Sequence, residues 1–161
     1  MRSLPQLLML GIFFAGCSVF GSDHVPRTMS SGELRATPET VIVDGHELAL
    51  RTYMWRDFMP ISPPDGKPMT AIFWVFSADS SALPDGLTVD AAWVVKDDEI
   101  WDAALVDESS SEEVPYQLER VARNGPKWGP GVEVEAVVRL REPDGKTHLL
   151  RASGQDIERT D

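Results

Sequence analysis

The chain has one cysteine, three histidines and few basic residues for its 161 positions. A single cysteine cannot form a disulfide within the chain, so a folded domain must be stabilised by packing alone. The 15 lysines and arginines are outnumbered by 26 aspartates and glutamates, which gives a net charge of −11. Nucleic acid and anionic lipid are therefore poor candidates for ligands bound through charge. The acidity instead favours solubility.

Long hydrophobic runs are also scarce near the start of the chain. The apolar stretch from Leu7 to Ala15 has about nine residues, whereas a membrane-spanning helix needs about 20. This stretch follows a positively charged Arg2 and leads into the small residues Ala15 and Gly16. That order is typical of a secretory signal peptide.

The string Phe14-Ala15-Gly16-Cys17 resembles the cleavage and lipidation site of bacterial lipoproteins. The resemblance implies that residues 1–16 are removed and that Cys17 is acylated, which anchors the protein to a membrane of the cell envelope. Ser18, where an aspartate would favour the inner membrane, implies an outer-membrane location facing the periplasm in a Gram-negative cell. Phe14 departs from the aliphatic residue usual at its position. A non-lipidated leader and a buried N-terminal segment are the alternatives.

The sequence predicts three regions. Residues 1–16 are the signal peptide, residues 17–38 are the lipidated cysteine and a flexible tether rich in serine, glycine and proline, and residues 39–161 are the folded domain. Removal of residues 1–16 leaves 145 residues, a length typical of one domain. Since Arg2 is the only charge removed, 14 basic and 26 acidic residues remain, for a net charge of about −12.

From residue 40 onwards the apolar residues alternate with polar ones, and turn signals recur about every ten residues. Asp44-Gly45 and Pro143-Asp144-Gly145-Lys146 are typical hairpin turns. The segment 69–76 is apolar at nearly every position, which predicts a strand buried on both faces. We therefore predict an all-β domain, an antiparallel immunoglobulin-like β-sandwich of about seven or eight strands, with an up-and-down barrel as the alternative.

Few patterns in the chain point to catalysis or to a cofactor. No serine lies in a Gly-x-Ser-x-Gly motif, and the chain has so many carboxylates that a pair near each other means little. None of His24, His46 and His148 has metal-ligand spacing. The sequence therefore predicts a protein that is not an enzyme and has no cofactor.

Two weak metal hypotheses remain open. The thioethers of Met54, Met59 and Met69 flank a proline-rich loop and suit Cu(I). The acidic segment Asp107 to Glu113 offers oxygen ligands for Ca²⁺ but lacks the spacing of an EF-hand loop. Core packing for the methionines and a solvated loop for the acidic segment are the simpler interpretations.

The best candidate site contains two tryptophans that do not belong to strongly apolar strands. We predict a partner-binding site made of Trp55, Arg56, Asp57, Phe58 and Trp128, because the loops 56–68 and 124–131 could meet at one end of the domain. Two alternatives stay open. Trp128 could fold back as a cap on the core, and Arg56 and Asp57 could form a structural ion pair.

Two of the remaining tryptophans, Trp74 and Trp93, lie in strongly apolar strands and are predicted to be core residues. Taken together, the sequence predicts a membrane-anchored envelope lipoprotein whose non-catalytic domain binds another envelope protein. A carbohydrate- or peptidoglycan-binding module and, less favoured, a periplasmic copper-binding protein are the alternatives. An exposed coplanar set of aromatic rings would favour the carbohydrate alternative.

Overall fold

The computed structural model of the chain describes residues 28–106 and 114–161. The predicted signal peptide, Cys17, the start of the tether and the acidic segment 107–113 lie outside these residues. The described elements are one short helix and nine strands: α1 (Ser31–Arg35), β1 (Thr40–Val43), β2 (His46–Asp57), β3 (Met69–Ser77), β4 (Thr88–Lys96), β5 (Glu99–Asp102), β6 (Leu105–Val106), β7 (Gln117–Gly125), β8 (Glu133–Arg141) and β9 (Thr147–Thr160).

The strands form one continuous sheet in the order β5-β4-β8-β9-β2-β3-β7-β6, with β1 added to β2. The sheet curls into a half-barrel, and the predicted all-β class is confirmed. The predicted immunoglobulin-like sandwich is not shown, because the strands belong to one sheet and the β2–β9 pair is parallel. The order is not sequential either, so the fold is not an up-and-down barrel.

Strand β9 joins the two halves of the sheet. Its first part pairs antiparallel with β8, from Arg141↔Thr147 to Glu133↔Asp156. Its last residues, from Ile157 to Thr160, pair parallel with the end of β2. Gly154 lies near the end of the first part, at the register shift between Val134 and Ala136, with φ of +60°, a conformation that glycine adopts at little cost. Beyond this irregularity the strand continues from β8 onto β2, so one strand belongs to both halves of the sheet.

Residues 99–106 are divided between the two edges of the sheet. Strand β5 pairs with β4, whereas β6 pairs with β7 at the far edge. Only Ala103 and Ala104 separate them, so the chain itself bridges the open side of the half-barrel. There the ring of Trp101 packs on Gly125, where an added β-carbon would come within 2.8 Å of the ring.

The core fills the inner side of the curl. Strand β3 shows why, because its residues alternate strictly between buried and half-buried. Phe73 and Val75 face the inside, and the prediction that 69–76 is buried on both faces is wrong for the outward residues. In β8, Val134, Ala136 and Val138 complete the same core.

A second, smaller cluster lies on the outer side of the sheet under α1. Ser30 caps this helix and forms a capping box with Glu33, which satisfies the free amides of the first turn. Leu34 is fully buried against Val95 and Val137. The tether was predicted to extend to residue 38, so this packed helix moves the start of the folded domain several residues towards the N-terminus.

Candidate functional site

The structure places the five predicted site residues in two different environments. Arg56, Asp57, Phe58 and Trp128 gather at the end of the half-barrel where β2 finishes and β8 begins, which we call the loop end. Trp55 instead points outward from β2, because neighbouring residues of a strand face opposite sides. The loops 58–68 and 126–132 do meet, as the sequence predicted, through contacts of Arg56.

Arg56 is the centre of the loop end and is only 4% exposed. Its Nε donates to the carbonyl of Lys67 at 3.0 Å, and its Nη1 donates to Lys127 at 3.1 Å and Gly129 at 2.6 Å. Its Nη2 donates to the carbonyl of Asp65. A buried cation is tolerated when its donors are satisfied, and here backbone carbonyls of both loops satisfy them. Arg56 therefore holds the two loops together and uses four of the five N–H groups of its guanidinium within the protein.

Asp57 does not form an ion pair with Arg56, which was the alternative interpretation of these two residues. Its Oδ2 accepts from Lys67 Nζ at 2.6 Å, and its Oδ1 accepts from the amide of Met59 at 2.8 Å. The hydrogen bond from Lys67, followed by that from Met59, lowers the pKa of Asp57. The pKa of Asp65 is likewise lowered by its hydrogen bond with Lys127, 2.6 Å away. Both carboxylates thus secure the loop 58–68 from its two ends.

Phe58 fills the space beneath this loop. Its ring lies 5.0 Å from the guanidinium of Arg56 and 4.1 Å from that of Arg159. Gly66 closes over the ring with φ of +74°, and a β-carbon there would come within 2.6 Å of it. Only glycine fits this position. Phe58 is half-buried and acts as the packing unit of the loop.

Trp128 is half-buried and packs against the main core. Its Nε1 donates to Glu99 at 3.2 Å, which ties the loop before β8 to the start of β5. This arrangement matches the alternative in which Trp128 caps the core. The exposed apolar side chains of the loop end belong to the other loop, 58–68, where Met59 is 46% exposed and Ile61 is 89% exposed.

The outward residues of β2 and β3 form a surface that the sequence analysis missed. We call it the aromatic face, and it comprises Arg51, Tyr53, Trp55, Ile72, Trp74 and Phe76. These residues alternate with the core residues of the same strands, and all but the exposed Arg51 are half-buried. Residues 72, 74 and 76 are two positions apart, so the sequence could have predicted that they share one face of β3. It could not predict which face is outward, because both faces of β3 carry apolar residues.

Aromatic rings on this face are held by neighbours within the sheet. The Tyr53 and Trp55 rings stack with centroids 5.1 Å apart and an interplanar angle of 25°. The guanidinium of Arg51 lies 4.9 Å from the centroid of Trp74, and the Trp74 Nε1 donates to Glu119 at 2.7 Å. Trp74 was predicted to be core, but it lies outward.

Tyr53 carries a second link across the sheet. Burial raises the pKa of the Tyr53 phenol, and the charge of Glu158 and a hydrogen bond to it act in the same direction. The carboxylates of Glu119 and Glu158 therefore border the aromatic rings on either side, while Arg51 supplies the positive charge. The face combines apolar rings with fixed charges of both signs.

The predicted copper site is not assembled around the three methionines. Met54 and Met69 are buried in the core, whereas Met59 is exposed on the loop. His46 and His148, the described histidines, hydrogen-bond elsewhere, to Ser81 and Glu142. Within residues 28–106 and 114–161 no group of three or more His, Cys, Asp or Glu side chains could hold a metal ion.

One other cluster contains groups that can serve in catalysis. Asp79 accepts from the hydroxyls of Ser77 and Ser81, and these bonds hold the pKa of its carboxyl far below its ordinary value. His46 Nδ1 lies 2.8 Å from the Ser81 Oγ. Because the Ser81 proton goes to Asp79, the hydroxyl accepts from His46 and the imidazole does not act as its base. The cluster therefore anchors the loop after β3.

In the part of the chain that the structure describes, no helix is long and apolar enough to cross a membrane. No protein-family model matches the chain, and neither a curated protein nor a solved structure matches it. The function must therefore be argued from the geometry of these two surfaces.

Proposed function

We propose that this protein is a membrane-anchored envelope lipoprotein, held by an acylated Cys17, whose non-catalytic β-domain binds another envelope protein. The observation that supports the binding role is the aromatic face, where Arg51, Tyr53, Trp55 and Trp74 lie together on β2 and β3. Arginine, tyrosine and tryptophan supply most of the binding energy in protein interfaces. The lipoprotein-like string ending at Cys17 supports the anchor.

The stacking geometry favours a protein partner over a carbohydrate. Sugar rings stack on aromatic faces that lie open to the solvent, side by side in one plane. Tyr53 and Trp55 are instead stacked on each other at 5.1 Å, and Arg51 covers a face of Trp74. Each of these rings therefore has one face covered by a neighbour, and the exposed Arg51 lies among them, a combination that suits the apolar pockets and carboxylates of a protein surface.

The face is also pre-organised. The hydrogen bond from Trp74 to Glu119 and the ring stacking fix these side chains before any partner arrives. Fixed side chains lose little conformational entropy on binding, so more of the contact energy contributes to affinity. The carboxylate of Glu158 calls for a basic group at the rim of the partner, and Arg51 calls for an acidic one.

This proposal divides the five residues of the predicted site. Trp55 remains a partner-contacting residue because it belongs to the aromatic face. Arg56, Asp57, Phe58 and Trp128 are assigned to the scaffold, since their contacts are with the protein's own loops and core.

The anchor is tested on the mature protein purified from the membrane fraction of its own cells. Mass spectrometry of the N-terminal peptide should show an acylated Cys17 as its first residue. The variant Cys17→Ser should remain uncut or leave the membrane fraction. An unmodified Cys17, or a mature N-terminus elsewhere, would contradict the anchor.

The binding surface is tested by quantitative capture from detergent-solubilised envelopes, followed by purification of the recovered partner and a direct affinity measurement. Trp55→Ala and Trp74→Ala should each weaken the affinity by about tenfold or more, the scale of an interface hot spot. The matched control is Trp93→Ala, because Trp93 is also half-buried and outward but packs in the cluster beneath α1. Equal loss with all three variants would contradict a role of the aromatic face.

A further inference from the structure

The tip of the loop between β2 and β3 is apolar and exposed. We define the apolar tip as residues 59–64, in which Met59, Pro60, Ile61, Pro63 and Pro64 are exposed and Ser62 is half-buried. Ile61 is 89% exposed, the largest value among the exposed large hydrophobic residues of the described chain. No residue of the tip is charged.

The apolar tip is stiff. The amide of Ser62 donates to the carbonyl of Met59 at 2.7 Å, and the amide of Gly66 donates to Pro63 at 2.8 Å. Three of the six tip residues are prolines, which restrict the backbone further. Below the tip, Arg56 and the Asp57–Lys67 pair fix the base of the loop. The structure therefore holds apolar side chains in water at a rigid position, where an apolar medium could receive them at little entropic cost.

The chain enters the folded domain at this same end. The first residue of α1, Ser31, donates to Asp98 at 3.4 Å, in the turn between β4 and β5. The next residue after that turn, Glu99, accepts from Trp128, and Lys127 pairs with Asp65 beside the apolar tip. These contacts form a continuous path across the loop end. A tether that begins at Cys17 thus arrives at the end of the domain that carries the tip.

The length of the tether favours one orientation of the domain. The 11 residues from 18 to 28 span at most about 40 Å when fully extended. Strands β4 and β8 have nine residues each and are about 30 Å long. To bring the opposite end of the domain to the bilayer, the tether would have to run along this length and be close to fully extended. With the loop end at the bilayer, a much shorter span between Cys17 and residue 28 is enough.

The charges around the tip do not attract anionic lipid. Lys67 is paired with Asp57 and Lys127 with Asp65, each at 2.6 Å, so the nearby cations are neutralised. Contact with a bilayer would depend on insertion of apolar side chains, which is insensitive to salt. The anchor raises the local concentration of the surface, so a weak insertion is enough.

We propose that the apolar tip, with Ile61 at its apex, lies in the interfacial region of the lipid bilayer that holds Cys17, and so orients the domain. The partner is a lipid surface contacted through apolar side chains. The inference rests on the proposed lipid anchor. It leaves the aromatic face, on the side of the half-barrel, free for a protein.

The test uses the full chain in its native membrane, with the photoreactive amino acid p-benzoylphenylalanine replacing Ile61. The matched control carries the same amino acid in place of Ile42, which is 71% exposed on β1 near the opposite end of β2. After illumination, mass spectrometry identifies what is crosslinked. We expect lipid adducts at position 61 at about ten times the level at position 42, because insertion of one large aliphatic or aromatic side chain shifts the contact equilibrium by about that factor. The level should not change when salt is raised.

Four results would overturn the inference. Protein adducts without lipid adducts at position 61 would make the tip a protein contact. Equal lipid adducts at 61 and 42 would remove the preferred orientation. An absence of lipid adducts at both positions, with Cys17 acylated, would refute the membrane contact alone and leave the proposed function intact. An unacylated Cys17 in the same sample would refute the proposed anchor, and the orientation with it.

Discussion

Strand β2 carries two arginines whose surroundings are opposite. Arg56 points inward, is 4% exposed and donates to four backbone carbonyls of two loops. Arg51 is an odd number of residues away and so points outward, where its guanidinium lies over Trp74 and its Nη2 donates to Gln117 at 3.5 Å. The two arginines are the same residue type on one strand, but their side chains point to opposite faces of the sheet. The face, and not the residue type, therefore separates the buried arginine from the one at the surface.

The same contrast extends to the tryptophans. Trp128 packs against the core at the loop end, whereas Trp55 and Trp74 lie on the aromatic face. Substitutions at the loop end should therefore lower the free energy of unfolding, and substitutions on the aromatic face should lower affinity for a partner. The following changes are ordered from the largest expected effect to the smallest.

Arg56→Met should give the largest loss of stability. It removes a buried side chain that donates four hydrogen bonds and leaves four backbone carbonyls of the two loops without that donor, which we expect to lower the free energy of unfolding by about 3–5 kcal/mol. Chemical denaturation monitored by tryptophan fluorescence measures it. Arg56→Lys is the control and should lose less, because an ammonium keeps the charge and some of the donors. A loss below about 1 kcal/mol for Arg56→Met would contradict the conclusion that Arg56 holds the two loops together.

Trp128→Ala should lower the free energy of unfolding by about 2 kcal/mol, since a half-buried ring is removed from the core and Glu99 loses its donor. If Trp128 were instead a partner contact, as in the site predicted from the sequence, binding would weaken and stability would stay nearly unchanged. Trp128→Phe keeps most of the packing but lacks the indole donor, so its stability should lie between those of the wild type and Trp128→Ala. Thermal unfolding of the three proteins measures the order. A melting temperature unchanged in Trp128→Ala would return this residue to the list of partner contacts.

Trp74→Ala should cost no more than about 1 kcal/mol of stability, the scale of cross-strand pairs on a sheet surface. Its partner affinity should nevertheless fall by about tenfold or more. Glu119→Gln keeps an acceptor for the Trp74 indole and tests how much of that loss comes from the orientation of the ring. If Trp74→Ala lost as much stability as Trp128→Ala, the distinction between the aromatic face and the loop end would be contradicted.

Acid should loosen the loop 58–68 while the aromatic face stays in place. The pKa values of Asp57 and Asp65 are lowered by Lys67 and Lys127, so their stabilising effect is complete above the unfolded value of about 3.9. It is lost as the pH falls from there through the lowered folded pKa values. Amide hydrogen exchange at Met59 and Lys67 should quicken in that range after correction for the intrinsic pH dependence. Asp57→Asn should show less of this acid-dependent change at Met59. A change identical to that of the wild type would contradict the role of the Asp57 carboxylate in holding the loop.

The local structure followed from the sequence because alternation and turn residues act over a few positions. Asp44 and Gly45 both have positive φ, as the predicted two-residue hairpin turn requires. The turn at Pro143 to Lys146 and the strand pairs beside it were predictable in the same way. These signals depend on neighbours in the chain, so they survive without knowledge of the fold.

The global topology depended on contacts that no local pattern encodes. The parallel pairing of Ile157 with Met54 joins residues 103 positions apart, and nothing in the sequence distinguishes Gly154, which lies at the register shift before it, from any other glycine in a strand. For the same reason the outward position of Trp74 was hidden, since Phe73 and Val75 beside it are as apolar. The meeting of the loops at Arg56 was anticipated, but its burial required the carbonyls of Lys127 and Gly129 to be placed around it.

The most direct measurement compares partner affinity and melting temperature for the double variant Trp55→Ala/Trp74→Ala and for Arg56→Met. We expect the first to lose the partner with a melting temperature close to that of the wild type, and the second to unfold at a clearly lower temperature but bind the partner while folded. Full affinity in the double variant would contradict binding through the aromatic face. A double variant that loses affinity together with an equally large fall in melting temperature would contradict it as well.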